Sequence, residues 1–346
     1  MKKVEFWILA SNEDTASKNI RDYLLNSYPF KECTEDDPVI DHWKGKQSYI
    51  LDFNELDPNV LPKEMSRSYS EKFNLRLMTT DERLIYLDKG KTEEQLEARY
   101  KADFMIVASR HKSKSGIPAI LTHTTGNWNE QNEYGGSPNS VAKTSAVLLR
   151  YAYDSLLEVK RKNNLEWAAD LEVDHHGPTE LPCPLIFMEL GSSQKNYGDK
   201  AGIKAVSWSI MKTSFKYFEY LVKTIRIDEF LKRHKKKGDQ SLYDYIRGKT
   251  RTSDATVAVG FGGPHYARNF SRTYKKNLFT FISHIIPKYY ALDLTAETVK
   301  MMIENTIETV NTFLIDWKGV KSKQRKYILG ILEGFNIDVL KCKDLR

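Results

Sequence analysis

Short apolar runs of four to seven residues, each closed off by polar or turn-forming residues, alternate along this 346-residue chain with longer stretches of helical periodicity. Runs that are apolar at nearly every position, rather than at every second one, suit strands buried on both faces of a sheet. They fall at residues 4–10, 49–53, 84–87, 104–108, 119–122, 185–190 and 256–261. Helical patterns fall at 15–25, 140–161, 201–226, 297–315 and 324–332, the first preceded by the cap-forming run Ser11-Asn12-Glu13-Asp14. This alternation predicts an α/β fold with a mixed sheet covered by helices on both faces, a three-layer α/β/α arrangement. Two stretches break the rhythm: polar residues 54–83 and basic residues 232–252, which include His234. Both are expected to be insertions or lobes on a single body spanning 1–346, with two subdomains as the alternative. There is no repeat of fixed period and no Pro-rich linker.

Charge is uneven. Lys plus Arg number 53 against 46 Asp plus Glu, a net charge of +7. Residues 223–251 hold ten cations against four acids, and residues 264–290 hold five cations and no acid. The second half is therefore the side expected to meet a polyanion. The three cysteines, Cys33, Cys183 and Cys342, lie far apart with no paired spacing, which argues against a disulfide framework or a thiolate zinc ribbon. No run approaches the roughly 20 apolar residues needed to span a bilayer, and the N-terminus does not read as a signal peptide. A cytoplasmic protein without a membrane partner is expected.

Seven of the eight histidines lie between His111 and His284, most of them beside Gly, Pro, Ser or Thr. Two are adjacent, in Glu172-Val173-Asp174-His175-His176-Gly177-Pro178-Thr179-Glu180. Paired imidazoles beside carboxylates on a loop forced to turn suit a metal site or a proton-transfer site. A carboxylate behind one ring, with Asp174 the candidate, would fix its tautomer. Glu189, after the apolar run ending at Met188, is a candidate third ligand or general base; a surface turn and a strand-end salt bridge are the alternatives. Ser109-Arg110-His111-Lys112-Ser113-Lys114-Ser115-Gly116 follows a predicted strand and can receive phosphate or carboxylate oxygens, or be a solvated basic turn. In Thr122-His123-Thr124-Thr125-Gly126-Asn127-Trp128, His123 is a candidate ligand or a hydrogen-bonded structural residue, and Asn127 can offer an amide to an oxyanion.

Gly260-Phe261-Gly262-Gly263-Pro264-His265-Tyr266 looks like a dinucleotide fingerprint but has His265 where the third glycine belongs. It reads better as a close-approach turn whose Gly262 and Gly263 amides face substrate and which aims His265 and Tyr266 into a cleft, with a tight structural turn as the alternative. From Arg268 to Tyr290 the cations Arg272, Lys275, Lys276 and Lys288 interleave with Phe270, Tyr274, Phe279, Phe281, Tyr289 and Tyr290. Cations for phosphates and aromatic faces for unstacked bases are what single-stranded nucleic acid requires. About half of those aromatics are expected in the core, since residues 278–286 are strongly apolar.

Taken in order, these runs, together with Ala16-Ser17-Lys18-Asn19-Ile20 and Asp316-Trp317-Lys318-Gly319, resemble the archaeal and plant-type D-aminoacyl-tRNA deacylases. The chain departs from that pattern at Asp174, where Thr more often precedes the histidine pair, and at Pro264, where Gly more often precedes the later histidine. The resemblance implies a phosphorylase/hydrolase-like fold, zinc as cofactor, and hydrolysis of the ester joining a D-amino acid such as D-tyrosine to tRNA. Zinc is then expected on some of His111, His123, His175, His176, Glu189 and His265. His175, His176, Glu189, His265 and Tyr266 become the candidate catalytic group, and Lys114, Arg272, Lys275, Lys276 and Lys288 the tRNA contacts of an expected monomer. A metal-dependent peptidase or amidase would use the same His/Glu set without the basic aromatic run. A non-catalytic tRNA-binding protein would use the run without the histidines.

Overall fold

A computed structural model describes residues 3–34, 36–37, 39–43, 47–233, 240–251 and 254–345. In chain order the strands are β1 (Val4–Ser11), β2 (Phe30–Glu32), β3 (Ser48–Leu51), β4 (Phe73–Thr80), β5 (Phe104–Arg110), β6 (Ala119–His123), β7 (Gly126–Asn127), β8 (Ser140–Val141), β9 (Ala168–Leu171), β10 (Leu185–Gly191), β11 (Thr256–Phe261), β12 (Thr280–Ile286), β13 (Thr312–Ile315) and β14 (Asp338–Lys341). Eight of them form a mixed sheet in the order β2-β3-β4-β1-β5-β10-β6-β9, and four form a parallel sheet in the order β12-β11-β13-β14. β7 and β8 make a small ribbon of their own.

The central strands are apolar throughout because both of their faces are covered. In β1, Phe6 and Ile8 join the core built with Ile20 and Leu24 of helix Thr15–Ser27 and Val206 and Phe218 of helix Lys200–Lys223. Trp7 and Leu9 point the other way, into a second core with Trp43, Leu84, Leu96 and Tyr100. This is the period-two alternation of a strand with two buried faces. Helix Ala146–Lys162 links the two sheets: Ala152 and Leu156 join the same core as Ile120 of β6 and Ile282 of β12. Its N-terminus is capped by Ser145, whose hydroxyl accepts from the Leu148 amide, and by the buried Glu308, which accepts from the Ser145 hydroxyl and the Ala146 amide. Among the described residues no helix is long and apolar enough to cross a membrane.

Several expectations are corrected. Residues 54–83 are not an insertion, because they supply β4, which pairs with β1 from Val4↔Phe73 to Ser11↔Thr80. Polar Arg76 disguises the strand; it is 3 % exposed and its guanidinium is bound by Glu5 and Asp37 at 2.8 and 2.7 Å. Residues 84–87 make a 3-10 turn, Leu84–Tyr86, in which the i, i+3 pair Leu84 and Leu87 is buried together. The pattern at 297–315 divides into helix Ala296–Glu304 and strand β13. Residues 140–141 form β8 rather than helix. The basic aromatic run is as expected, with about half of its aromatics in the core: Phe270 and Tyr274 are buried and Phe281 of strand β12 packs against that core, while Phe279 and Tyr289 are exposed. Of residues 232–252, helix Leu242–Thr250 buries Leu242, Tyr245 and Ile246 in the main core, which ties it to the body; His234 lies outside the described residues.

A histidine-rich candidate active site

The carboxyl ends of β1, β5 and β10 in the larger sheet and of β12 in the smaller one open into one cleft of about 700 Å3. Strand carboxyl ends are where an open α/β sheet presents its connecting loops to a ligand. At and beneath the cleft floor lie His111, His123, His175, His176, His265, Glu172 and Glu189. Glu189 in β10 sits between β5 and β6, opposite Ser109 on one side and Leu121 on the other. His111 follows β5, His123 ends β6, and Glu172 and the histidine pair follow β9.

Three of the imidazoles are held alike. The Nδ1 atoms of His123, His175 and His176 lie 2.7, 2.8 and 2.6 Å from the carbonyls of Thr124, Val173 and Gly177. Each Nδ1 must therefore carry the proton it donates, which leaves Nε2 as the nitrogen able to bind a cation. The rings are packed closely, with centroids 4.3 Å apart for His123 and His175 and 4.5 Å for His175 and His176. The buried Nε2 of His123 has no hydrogen-bond partner among the described residues. These three residues form one group whose ligand atoms lie within 4.8 Å of one another; Glu172, His175 and His265 form a second, and His111, Glu172 and Glu189 a third.

Electrostatics point the same way. Glu172 and Glu189 are 1 % and 3 % exposed, and among the described residues neither has a Lys or Arg partner. Two buried carboxylates require positive charge close by. His111 reaches Glu189 at 3.3 Å and Glu172 at 3.7 Å. Burial opposes its imidazolium, but the Glu189 hydrogen bond and the two carboxylate charges outweigh that and raise its pKa. Burial likewise opposes charge on His123, yet the approach of Glu189 to 3.6 Å pushes its pKa up to about 9, so its Nε2 binds a cation only by giving up its proton. Burial tends to raise the Glu189 carboxyl, but its contacts with His111 and His123 hold it well below the usual carboxylate range. Burial and repulsion by neighbouring imidazoles drive His175 far down and His176 down to about 4, so both are neutral near pH 7.

The tautomers are fixed by backbone carbonyls, not by Asp174. The Asp174 carboxylate faces the smaller sheet, with Oδ2 2.7 Å from His284 Nδ1 and Oδ1 accepting from the Ile285 amide. Its backbone N–H donates to the Ile285 carbonyl and its own carbonyl accepts from the Trp128 indole. Asp174 thus pins the root of the histidine turn to β12. His176 itself has a left-handed backbone, φ 48°, a conformation a non-glycine residue keeps only when its surroundings enforce it. The Gly135–Gly136 backbone supplies that constraint: a Cβ at Gly177 would lie 2.1 Å from Gly136 N. Gly177→Ala is therefore expected to destabilise the chain by about 1–3 kcal/mol as the loop is forced outward. Urea denaturation measures this, and an unchanged midpoint would refute the close packing.

Other expected site residues are dispersed. Tyr266 joins the cluster, its hydroxyl 3.2 Å from His111 Nε2, and His265 Nε2 lies 2.9 Å from Glu172. Asn127 lines the cleft, but its amide is committed to the carbonyls of Gly135 and Ser137. The Gly262 amide donates to the Ile286 carbonyl, and Gly262 and Gly263 pack near Val320, Phe270 and Asp316 rather than lining the cleft. Neither the Asn127 side chain nor the Gly262 amide is free for an oxyanion. Lys114 is on the rim, and the exposed Lys288 directly precedes the cleft residues Tyr289 and Tyr290. Arg272, Lys275 and Lys276 are exposed on helix Arg268–Lys276, outside the cleft. Glu172 stands in the sequence only as one of the acids flanking the histidine pair, and its position three residues before His175 does not by itself distinguish it from Asp174 or Glu180. The sequence reading passes over Arg83, which reaches the rim from the segment expected to be an insertion.

Fold and site together define an α/β/α protein with a strand-end cleft over a buried His/Glu cluster. A family model for D-aminoacyl-tRNA deacylases matches residues 98–340. The chain is 29 % identical over 335 residues to a D-aminoacyl-tRNA deacylase of Thermococcus kodakarensis, covering 96 % of this chain and 98 % of that one. It is 30 % identical over 337 residues to that of Thermococcus onnurineus, with the same coverage, and 28 % identical over 340 residues to that of Methanosarcina mazei, covering 98 % and 93 %. A crystal structure of a conserved protein of unknown function superposes with a TM-score of 0.71 at 25 % identity, covering 100 % of this chain and 97 % of that one. The chain belongs to the D-aminoacyl-tRNA deacylase family.

Proposed function

We propose that this protein hydrolyses the ester between a D-amino acid, D-tyrosine among them, and tRNA, and so removes mischarged tRNA before translation uses it. The observation that carries the reading is the set of three imidazoles with their Nδ1 atoms on backbone carbonyls, set beside Glu189 beneath the cleft. The donor set fits zinc, with His123, His175 and His176 as the residues that would hold it. When bound, zinc supplies Lewis acidity, lowering the pKa of water and polarising an ester carbonyl.

The residues of the chain account for the rest. His265 lines the cleft with its side chain 40 % exposed, while Glu172 behind it is buried. His265 Nε2 stands 2.9 Å from the Glu172 carboxylate, which favours the proton on Nε2 and leaves Nδ1 to take a proton from the attacking water and return it to the departing ribose oxygen. Glu172 holds the ring in that tautomer and stabilises it when protonated. Glu189 and His111 form a second proton path that ends at the Tyr266 hydroxyl. Lys112 and Lys114 on the rim favour a polyanionic substrate.

The decisive assay compares D-tyrosyl-tRNA with L-tyrosyl-tRNA before and after chelation, with zinc added back. The D form is expected to be deacylated at least about tenfold faster, in keeping with a difference in transition-state fit of about 1.4 kcal/mol or more. Chelation should remove the activity and zinc should restore it. Equal rates for the two forms would overturn the substrate reading; full activity in chelator would overturn the zinc step.

A further inference from the structure

We propose that Tyr289 and Tyr290 form the stacking platform for the terminal base of the tRNA, and that Lys112 and Lys114 bind the phosphates leading to it. The proposal rests on the deacylase reading and adds to it where the single-stranded end lies. The ester is carried by the last ribose, so the last base must sit one sugar away from the groups that act on the ester. Among the cleft-lining residues, Tyr289 and Tyr290 share the cleft with His265 and the histidine floor. They belong to the turn Lys288–Tyr290, directly after β12.

That turn is held firmly. The Lys288 amide donates to the Gly263 carbonyl at 2.9 Å, and the Lys288 carbonyl accepts from the Gln324 side chain at 2.6 Å. The two rings meet at 65° with centroids 4.9 Å apart, while Tyr289 is 50 % exposed. Tyr290 therefore braces Tyr289 and leaves much of its surface to solvent. Among the described residues neither phenol hydroxyl has a hydrogen-bond partner. A half-exposed aromatic braced by its neighbour in a polar cleft is poorly explained as core. It suits an unstacked base, which offers a π face whatever its identity.

The cations complete the arrangement. Lys112 and Lys114 are exposed, line the same cleft, and among the described residues form no ion pair. By contrast, nearby Asp14 is committed to the amides of Ser17 and Arg110. Two unneutralised ammonium groups in a cleft with stacking aromatics fit a short single strand better than they fit a free amino acid ester, which carries no phosphate.

The test measures binding of uncharged tRNA ending in CCA and of the same tRNA trimmed to CC, over a range of salt concentrations. Loss of one stacked base is expected to weaken binding by the wild-type protein by about 5- to 150-fold. Tyr289→Ala should bind both RNAs equally, and Tyr289→Phe should keep the preference. Lys112→Ala with Lys114→Ala should weaken both RNAs together and reduce the slope of log K against log salt by about 0.7 for each phosphate left without its ammonium partner, with the end preference intact. A Tyr289→Ala variant that folds normally and still prefers the CCA end overturns the platform, as does a wild-type protein with no preference. Retained preference for the CCA end without hydrolysis of D-tyrosyl-tRNA would instead overturn the deacylase reading and leave the platform standing.

Discussion

Replacing His176 by Asn is expected to lower kcat/KM for D-tyrosyl-tRNA by about a hundred- to ten-thousand-fold and to reduce bound zinc. Asparagine is the informative replacement, because residue 176 sits at φ 48° and Asn tolerates a left-handed backbone better than most residues. The substitution removes the imidazole while sparing the turn. Among the described residues His176 has no ionic partner closer than Glu189 at 4.0 Å, so the change breaks no close ion pair there. Steady-state kinetics, metal analysis and a thermal melt together decide the matter. Wild-type turnover in a well-folded variant would remove His176 from the site, and a large fall in melting temperature with normal zinc content would make its role structural.

Glu172→Gln is expected to lower kcat by a similar factor, about a hundred- to ten-thousand-fold, with KM changed little. Glutamine preserves the volume of a side chain that is 1 % exposed but removes the charge facing His265 at 2.9 Å and His111 at 3.7 Å. Glu172 is a positioning residue in this scheme, since it acts through the His265 ring. Residues that act as a unit are non-additive, so His265→Ala should show a comparable loss and the double variant should be little worse than either single one. Multiplicative losses would show that the two residues act separately. Turnover within a few-fold of wild type for Glu172→Gln would end the dyad altogether.

Much of the architecture was legible in the sequence where a strand is buried on both faces. Residues 4–10, 104–108 and 185–190 lie in neighbouring strands β1, β5 and β10, and their patterns carry no polar interruption in the middle. β4 was hidden because Arg76 lies in mid-strand, and only its contacts with Glu5 and Asp37 make that position tolerable. Periodicity cannot anticipate partners contributed from 39 and 71 residues away. The apolar run 84–87 misled for the opposite reason: two leucines three apart satisfy a single turn as well as a strand.

The chemistry divides similarly. Sequence alone determined the supply of imidazoles, the turn forced by Gly177 and Pro178 on which two of them sit, and the carboxylate Glu189 at a strand end. These are local properties of residue type and neighbouring residues. Only the tertiary structure decided which groups meet. It brought His111 and His123 to opposite sides of Glu189 by placing β10 between β5 and β6, raised Glu172 from a flanking acid to the partner of His265, and sent Asp174 to His284 instead of to its neighbours. It also moved the expected oxyanion donors Gly262 and Asn127 out of contention by committing their N–H groups elsewhere. The physical reason is that strand order and hydrogen-bond satisfaction are long-range properties: a buried donor or carboxylate takes whichever partner the sheet presents, and that partner is seldom its neighbour in sequence.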